Sequence, residues 1–317
     1  MIKIYDVAIA TDTPDDTEFI ELLEKAIQQA GLTTFLVQPF NLAETLKHLH
    51  RDEIGFKFLF DRASDTTPDF IPLQKHLTQH NVPVFDSIDG ITWVLDKATM
   101  HLEFLSHHIR TPYTIIIPSY NHIEHIFLSL SDLSHLGRPF IIKPSQTTGG
   151  GTGVVDGAET LEDILYARKK YGDEQYLLQQ KIIPVEKDGK RFWFRGFNIC
   201  GNVECCWWND KTHVYELITE QDSKQYNLQP LTAIVEEISK VCKLNFFSTE
   251  IAMAENNEFI VIDYVNEVCD MRLQSKHFDG VPDVLVKKIV SLIANYIRDT
   301  IAPPSRWEKS INWFRNR

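Results

Sequence analysis

Short apolar runs alternate with amphipathic stretches over residues 1–95 of the chain. Residues 7–10 form an uninterrupted apolar run, and apolar side chains then recur at helical spacing until Gly31, which ends the helix. The same alternation predicts strands at 34–37, 56–60 and 82–85 and helices at 42–50 and 69–80. Strands that alternate with helices are typical of βαβ units, so this part is predicted to form an open parallel α/β domain.

The pattern changes to an α+β order after residue 95. The part from 96 to 183 is predicted to contain one helix that begins at Asp96 and two more at 123–136 and 161–170. Its predicted strands lie at 113–117, 140–145 and 176–183. Pro184 ends the last strand because proline cannot donate a ladder hydrogen bond. The part from 184 to 317 is strand-rich, with strands at 191–199, 203–208, 213–218, 246–254 and 258–265 and helices at 229–242 and 281–299. We therefore expect two further domains, 96–183 and 184–317.

The charge balance excludes some classes of partner. Acidic residues outnumber basic ones by 44 to 32, and the formal charge of −12 disfavours non-specific attraction to nucleic acid or anionic lipid. No uncharged apolar run approaches the roughly 18 residues that suggest a membrane span, and the N-terminus lacks a signal-peptide pattern. The five cysteines show no CxxC spacing, which favours a reducing compartment. We expect a cytoplasmic protein with no membrane span and no nucleic-acid partner.

A lysine and a glycine-rich loop belong to one of the predicted strands and its continuation. Lys143 lies within the apolar run 140–145, and glycines occupy positions 149, 150, 151 and 153. Glycine lets backbone N–H groups approach an anionic oxygen, and a lysine on a strand supplies a fixed positive charge beside them. The pattern predicts a phosphate site, and a flexible hairpin after a core strand is the alternative that it leaves open.

Carboxylates also occur in two strongly apolar runs farther along the chain. Glu250 and Asp263 stand in neighbouring predicted strands, and Asn266 follows Asp263 by three positions. A buried carboxylate needs a counter-charge, and Mg²⁺ together with phosphate oxygens is a natural one. The alternative is that both acids face solvent on an amphipathic sheet.

The order of these features resembles that of the ATP-grasp superfamily over essentially the whole chain. An α/β domain comes first, Asp96-Lys97 opens the next part, and Lys143 with its glycine loop, Arg195 and the distant acids follow. The resemblance implies a pre-ATP-grasp domain at 1–95 that contacts the acceptor substrate. It also implies two ATP-grasp subdomains, 96–183 and 184–317, with an ATP cleft between them.

The resemblance assigns the nucleotide contacts mainly to the central part. Lys97 and Lys143 would reach the ATP phosphates, although Lys97 could also be an ordinary lysine in the first turn of a helix. A mobile loop would close over the triphosphate, with residues Thr148, Gly149, Gly150, Gly151, Thr152 and Gly153. We expect residues 146–152 to be poorly ordered until phosphate binds. The hinge that pairs with the adenine edge would consist of Gln180, Lys181 and Ile182. The ribose hydroxyls would be bound by Glu186 or, alternatively, by Asp188.

The resemblance assigns metal binding to the C-terminal part, where Glu250, Asp263 and Asn266 would hold two Mg²⁺ ions. The commoner spacing of the last two ligands is two residues, whereas here it is three. A change of one residue moves a side chain to the other face of a strand, so a β-bulge is required for both to bind metal. Glu267 and Asp270 are alternative ligands.

Three arginines are candidates for contact with the reacting groups. Arg195 resembles the arginine that neutralises the transferred phosphoryl group, although its aromatic neighbours also suit a cation–π pair. Arg272 could bind the acceptor carboxylate or the γ-phosphate, or form a structural ion pair. Arg62 follows a predicted strand at the edge where open α/β sheets bind ligands, which makes it a candidate substrate contact.

Several other polar or reactive residues receive no role in the predicted site. Cys269 is interpreted as a buried structural thiol, since nothing near it in sequence indicates a lowered thiol pKa. The aromatic and basic segment 307–317 is interpreted as a packed or frayed terminal helix, and docking on a partner or a membrane surface is the alternative. Surface positions are predicted for His48, His50, His101, His107 and His108.

The resemblance implies an ATP- and Mg²⁺-dependent ligase. A small-molecule carboxylate would attack the γ-phosphate, and an amine or another nucleophile would displace the acyl-phosphate that forms. A small-molecule kinase similar to the inositol phosphate kinases of this superfamily is one alternative, which the acidity of the chain disfavours. A nucleotide-binding module without catalysis is the other. The sequence identifies neither acceptor, and it leaves a homo-oligomer open.

Overall fold

The computed structural model describes residues 2–12, 16–146 and 151–302, and the chain divides into two units. The first unit contains residues 1–87, 271–273 and 283–317, and the second contains residues 88–270 and 274–282. The division of the chain at residues 95 and 183 stays a prediction.

A three-stranded parallel sheet forms the centre of the first unit. Its strands are β1 (Lys3–Thr11), β2 (Thr34–Val37) and β3 (Ile54–Arg62), in the order β2-β1-β3. The helices of this part are α1 (Thr17–Gln29), α2 (Leu42–His50) and α3 (Ile71–Gln79). The predicted open parallel α/β arrangement is confirmed. The predicted strand at 82–85 is reduced to a single parallel bridge between Val84 and Leu59.

A helix from the far end of the sequence completes the first unit. Helix α10 (Asp283–Ile301) packs along α1, and its Tyr296 ring stands edge-on to Phe85 with centroids 5.8 Å apart. An amphipathic pattern specifies that a helix buries one face but not which sheet it covers, so the sequence pattern alone does not assign α10 to this unit.

The second unit contains a four-stranded antiparallel sheet that carries Lys143. Its strands β4 (Thr114–Ile117), β5 (Phe140–Pro144), β6 (Val155–Ala158) and β7 (Tyr176–Gln180) pair in the order β4-β7-β5-β6. The helices in this part of the unit are α4 (Ile88–Leu95), α5 (Lys97–Ser106), α6 (Leu130–Leu136) and α7 (Leu161–Lys170). The helix predicted at 123–136 is shorter than expected, because Ser129 and Asp132 form a capping box that begins it at Leu130.

A five-stranded antiparallel sheet carries the acids in the same unit. It is preceded by a short hairpin of β8 (Glu186–Lys187) and β9 (Lys190–Arg191). The sheet consists of β10 (Trp193–Ile199), β11 (Asn202–Trp208), β12 (Tyr215–Leu217), β13 (Phe246–Met253) and β14 (Phe259–Asn266), in the order β12-β11-β10-β13-β14. Two helices lie between β12 and β13 in the sequence, α8 (Glu220–Gln225) and α9 (Pro230–Cys242).

Helix α9 covers one face of the five-stranded sheet. Phe194, Phe247 and Ile251 point to this face and join Val235 and Ile238 of the helix in one buried cluster. Because side chains alternate along a strand, the residues between them point to the opposite face. The sheet therefore has a packed face and a second face that is available for chemistry.

Gly196 on β10 packs directly against helix α9. A Cβ at this position would lie 2.5 Å from Cγ2 of Val235, whose branched side chain has little rotamer freedom in a helix. We expect Gly196→Ala to lower the free energy of unfolding by about 1–3 kcal/mol, measured by urea denaturation. Gly55→Ala is the control, since its Cβ would meet Ile4 and Ile2 at ordinary distances of 3.8 and 3.9 Å. Equal stability of the two variants would show that α9 and β10 are not in this tight contact.

Candidate functional site

The face of the five-stranded sheet opposite α9 carries a row of charged side chains. Arg195 on β10 pairs with Glu250 on β13, and Glu250 pairs with Asp263 on β14. Residues that pair directly across antiparallel strands share a face, so all three side chains project to the same side. The sequence predicted each residue separately, and the strand register brings them together.

Two irregularities interrupt the pairing of β13 with β14, one on each side of Asp263. Ser248 pairs with Asn266 and Glu250 pairs with Asp263, so β14 has two intervening residues where β13 has one. A second extra residue, Ile262, lies on the other side of Asp263. The bulges return Asp263 and Asn266 to one face, and the bulge that their spacing requires is therefore present. Their metal-binding role stays a prediction.

Side chains hydrogen-bond the backbone carbonyls of these bulges. Nζ of Lys143 donates to the carbonyl of Ile262 at 3.1 Å, and Oγ1 of Thr249 donates to the carbonyl of Asp263 at 2.7 Å. A bulge removes backbone groups from the regular ladder, and buried groups of that kind need other partners. The lysine of the four-stranded sheet thus contacts the acid strand directly at its irregular point.

Hydrogen bonds hold the segments that carry the two lysines together. The amide of Lys97 donates to the carbonyl of Ser145 at 3.0 Å, and the amide of Ala98 donates to Oγ of Ser145 at 3.2 Å. The same hydroxyl donates to the carboxylate of Asp96, which caps the N-terminus of α5. Lys97 therefore begins a helix whose first turn is fixed to the end of the Lys143 strand.

Burial and neighbouring charges set the pKa values in this cluster. Burial lowers the pKa of Lys143, and the attraction of Asp263 and Glu250 offsets part of that change. Burial alone would raise the pKa of Asp263, but Lys97, Lys143 and Arg195 together hold it below its ordinary value. Burial raises the pKa of Glu250, against the opposing effect of Arg195. Three cations thus act on two largely buried carboxylates, an arrangement that suits an anionic ligand.

Arg195 makes the cation–π contact that its aromatic neighbours suit, together with an ion pair, and its catalytic role stays a prediction. Its Nη2 lies 2.8 Å from Oε1 of Glu250, and its guanidinium carbon lies 4.5 Å from the ring centre of Trp208. Its Nε is buried and has no hydrogen-bond partner within the part of the chain that the structure describes. An unsatisfied buried donor is costly, so Nε is a candidate contact for a ligand oxygen.

Two tryptophans of this face were not predicted as site residues. Nε1 of Trp193 donates to Oε2 of Glu250 at 3.2 Å, and Trp208 supplies the ring under Arg195. The two-residue spacing of Trp193 and Arg195 is a signal that they share a face. Nothing in the sequence signals Trp208, because its contact depends on the pairing of β10 with β11.

The donor set on this face fits a hard divalent cation. Glu250 and Asp263 offer carboxylate oxygens and Asn266 offers an amide oxygen, which are ligands that Mg²⁺ prefers. Within residues 2–12, 16–146 and 151–302, no group of three or more His, Cys, Asp or Glu side chains is arranged to hold a metal. Glu267 and Asp270 stay alternative ligands. Mg²⁺ is often bound by one or two carboxylates together with phosphate oxygens, which matches this set.

Part of the glycine loop is described. Gly151 and Gly153 have positive φ angles of 78° and 77°, and the amide of Val154 donates to the carbonyl of Gly151 at 3.1 Å. A Cβ on Gly153 would lie 2.7 Å from the ring of Tyr171, so glycine is required there for two reasons. Thr152 is also described, whereas Thr148, Gly149 and Gly150 lie outside the described residues. The expected disorder of residues 146–152 stays a prediction.

The predicted hinge follows the end of β7. The amide of Gln180 donates to the carbonyl of Tyr113 at 2.8 Å, and Nζ of Lys181 lies 2.7 Å from Oδ1 of Asp156. Ile182 is half-buried and lies beyond the strand, which ends at Gln180 rather than at the predicted residue 183. The hinge role of these residues stays a prediction.

The two acids considered for the ribose both have protein partners. Oε1 of Glu186 lies 2.7 Å from Nη1 of Arg191, and the Glu186 side chain is exposed. Oδ2 of Asp188 accepts a hydrogen bond from the hydroxyl of Tyr226 at 3.0 Å. A ribose would have to share or replace these contacts, and the assignment of Glu186 stays a prediction.

Arg62 and Arg272 belong to the first unit. Nε and Nη2 of Arg62 bind both carboxylate oxygens of Asp16, at 2.7 and 2.8 Å, in a buried ion pair. This bidentate ion pair joins the end of β3 to the start of α1. Asp16 thereby occupies the edge of the Arg62 guanidinium that a substrate carboxylate would bind. Arg272 is half-buried. Substrate contact by Arg62 and a catalytic role for Arg272 stay predictions.

The surface assignment of one histidine is wrong. His101 is 4% exposed, and its Nδ1 lies 3.0 Å from the hydroxyl of Tyr264. It occurs one helical turn after Lys97, and in α5 this position faces the core rather than solvent. The prediction that Cys269 is buried is confirmed, since its side chain is fully enclosed.

Comparison with solved structures identifies the fold. The chain is similar to a RimK-domain ATP-grasp protein from Sphaerobacter thermophilus, with a TM-score of 0.62, 20% identity and coverage of 92% of this chain and 98% of that one. It is similar to a D-alanine–D-alanine ligase from Bacillus anthracis solved with ATP, with a TM-score of 0.60, 15% identity and coverage of 94% and 97%. It is also similar to the ATP-grasp ligase PsnB solved with a precursor peptide and AMPPNP, with a TM-score of 0.58, 9% identity and coverage of 93% and 98%.

These similarities assign the chain the ATP-grasp fold, as its sequence features predicted. No protein-family model matches the sequence, and no curated protein matches it. Among the helices of the described residues, none combines the length and the apolar character needed to cross a membrane.

Proposed function

We propose that this chain is an ATP- and Mg²⁺-dependent ligase that joins a carboxylate to an amine or another nucleophile through an acyl-phosphate. The observation that carries the proposal is the convergence of Lys97, Lys143 and Arg195 on the buried carboxylates of Glu250 and Asp263. A D-alanine–D-alanine ligase, a D-cycloserine synthetase and a macrocyclase share the fold, which supports ligase chemistry.

The side chains of this cluster would bind and orient the reacting groups. Lys97 and Lys143 would hold the phosphates of ATP, and the unsatisfied Nε of Arg195 would bind an oxygen of the transferred phosphoryl group. A substrate carboxylate oxygen would attack the γ-phosphorus as the bond to ADP breaks, and a nucleophile would then displace inorganic phosphate from the acyl carbon. When bound by Glu250, Asp263 and Asn266, two Mg²⁺ ions would neutralise charge on the phosphates.

Other contacts with ATP would come from the glycine loop and the hinge. The loop would cover the triphosphate with Thr148, Gly149, Gly150, Gly151, Thr152 and Gly153. Gln180, Lys181 and Ile182 would pair with the adenine edge and Glu186 would bind the ribose. Arg272 and Arg62 would contact the acceptor. Five cysteines that form no disulfide are in keeping with the cytoplasmic location that we propose.

A kinase for polyanionic acceptors is less well supported. Such a substrate needs several basic side chains that are not already neutralised. Lys181 pairs with Asp156, Lys190 pairs with Glu216, and Arg191 binds both Glu186 and Asp210. Most of the basic residues near the hinge therefore already have acidic partners.

The products of ATP turnover test the proposal. The protein would be incubated with ATP, Mg²⁺ and pools of carboxylic acids and amines, and ADP, AMP and inorganic phosphate would be measured. We expect ADP and free phosphate, with the full rate only when both pools are present. ADP with the phosphate retained on an acceptor would indicate a kinase, and tight ATP binding without turnover in any pool would indicate a module without catalysis.

A further inference from the structure

A buried hydrogen-bond network lies on the side of β14 opposite the charged face. The hydroxyl of Tyr264 lies 3.0 Å from Nδ1 of His101 on α5 and 3.2 Å from Nε2 of Gln179 on β7. All three side chains are at most 4% exposed. Burial lowers the pKa of His101, which favours the neutral ring with a nitrogen that can accept the tyrosine proton. The hydroxyl can therefore accept from Gln179 while it donates to His101.

The network holds β14 at its irregular point. Tyr264 follows Asp263 directly and lies within the bulge that separates Asp263 from Asn266. Its backbone amide hydrogen-bonds the Asp263 carboxylate. The bulge has no regular ladder to define its backbone, so a side chain anchored outside the sheet can decide how Asp263 points.

The same network connects the acid strand to the helix that begins at Lys97. His101 is four residues after Lys97, so both lie on one side of α5 about one turn apart. Lys97 in turn acts on the Asp263 carboxylate by charge. The Tyr264–His101 hydrogen bond is thus a second connection between β14 and α5, in addition to the attraction between Lys97 and Asp263.

We propose that Tyr264 and His101 are positioning residues, whose hydrogen bond fixes the bulge of β14 so that the Asp263 carboxylate is aimed at a divalent cation. The inference rests on the metal role that the proposed function gives to Asp263. It assigns no chemical step to either residue. Residues that orient metal ligands typically contribute 10- to 100-fold to metal affinity or activity.

Tyr264→Phe tests the inference because it removes the hydroxyl and keeps the ring. The matched control is Tyr176→Phe, since the hydroxyl of Tyr176 is also buried in this unit but donates to the carbonyl of Ala167, away from β14. Mn²⁺ binding without nucleotide would be measured by electron paramagnetic resonance, and amide exchange of residues 261–266 by mass spectrometry. We expect about tenfold weaker Mn²⁺ binding and faster exchange for Tyr264→Phe alone.

Variants of His101 separate positioning from general loss of stability. An asparagine places an amide near the position of Nδ1, whereas leucine fills space without a polar atom. We expect His101→Leu to weaken Mn²⁺ binding about as much as Tyr264→Phe, and His101→Asn to restore most of it. The metal-dependent defect should appear at subsaturating Mg²⁺ in turnover and should diminish at saturation.

The outcomes separate this inference from the proposed function. Mn²⁺ binding by Tyr264→Phe within twofold of the Tyr176→Phe control would overturn the inference even if the wild type is a ligase. Absence of Mn²⁺ binding by the wild type would also overturn it. Absence of turnover in every substrate pool would overturn the proposed function, while the Mn²⁺ comparison between variants would still decide the role of Tyr264.

Discussion

Asp263→Asn is expected to reduce Mg²⁺-dependent ATP turnover by about a hundredfold or more. The change keeps the size of the side chain but removes the charge that faces Lys97 and Lys143 and that would bind the metal. Removing one preorganised electrostatic contact in an active site commonly costs about 10²–10³ in rate. Turnover would be followed as ADP release at several Mg²⁺ concentrations.

Asp299→Asn is the control for this change. Asp299 is an exposed residue that pairs with Arg298 on α10, and we expect the variant to keep the wild-type rate. Full Mg²⁺-dependent turnover by Asp263→Asn would mean that Asp263 does not bind the metal. The melting temperature of each variant would also be recorded. A melting temperature below the assay temperature would attribute the loss of rate to unfolding.

Lys143→Met is expected to weaken ATP binding by at least about thirtyfold, which corresponds to about 2 kcal/mol. Methionine is close to lysine in length, but it cannot donate to the carbonyl of Ile262 or to a phosphate. The loss should appear in the dissociation constant of AMPPNP, measured by calorimetry, because the ammonium group would contact the nucleotide before any chemistry.

Lys240→Met is the matched control for the lysine. Lys240 lies on the exposed side of α9 and pairs with Glu237 at 2.5 Å. The same change of side chain there should leave AMPPNP affinity within about twofold, since an exposed pair of this kind contributes little. Equal affinities of the two variants would mean that Lys143 is a structural contact to β14 and not a phosphate ligand.

The sequence predicted the parts of the site that depend on local pattern. Apolar runs indicated the strands of the two sheets that carry the site, except β6, which was not predicted. The three-residue spacing of Asp263 and Asn266 indicated a bulge once the resemblance had assigned both residues to metal binding. The acids were also recognisable from their local sequence, because carboxylates in apolar runs need a counter-charge.

Features that depend on pairing between distant elements were not predictable in the same way. Trp208 reaches Arg195 only through the register of β10 with β11. The surface prediction for His101 is wrong because α5 buries this polar residue against Tyr264. A pattern of apolar positions does not indicate that a polar residue is buried. Arg62 binds Asp16 because the end of β3 lies near the start of α1 in space.

The most direct test of ligase chemistry follows an oxygen atom. The wild-type protein would be incubated with ATP, Mg²⁺, pooled amines and carboxylic acids labelled with ¹⁸O in the carboxylate. If an acyl-phosphate forms and is displaced, one labelled oxygen passes to each inorganic phosphate released, and mass spectrometry should detect it alongside ADP. Unlabelled phosphate, or AMP with pyrophosphate, would contradict the proposed carboxylate ligase.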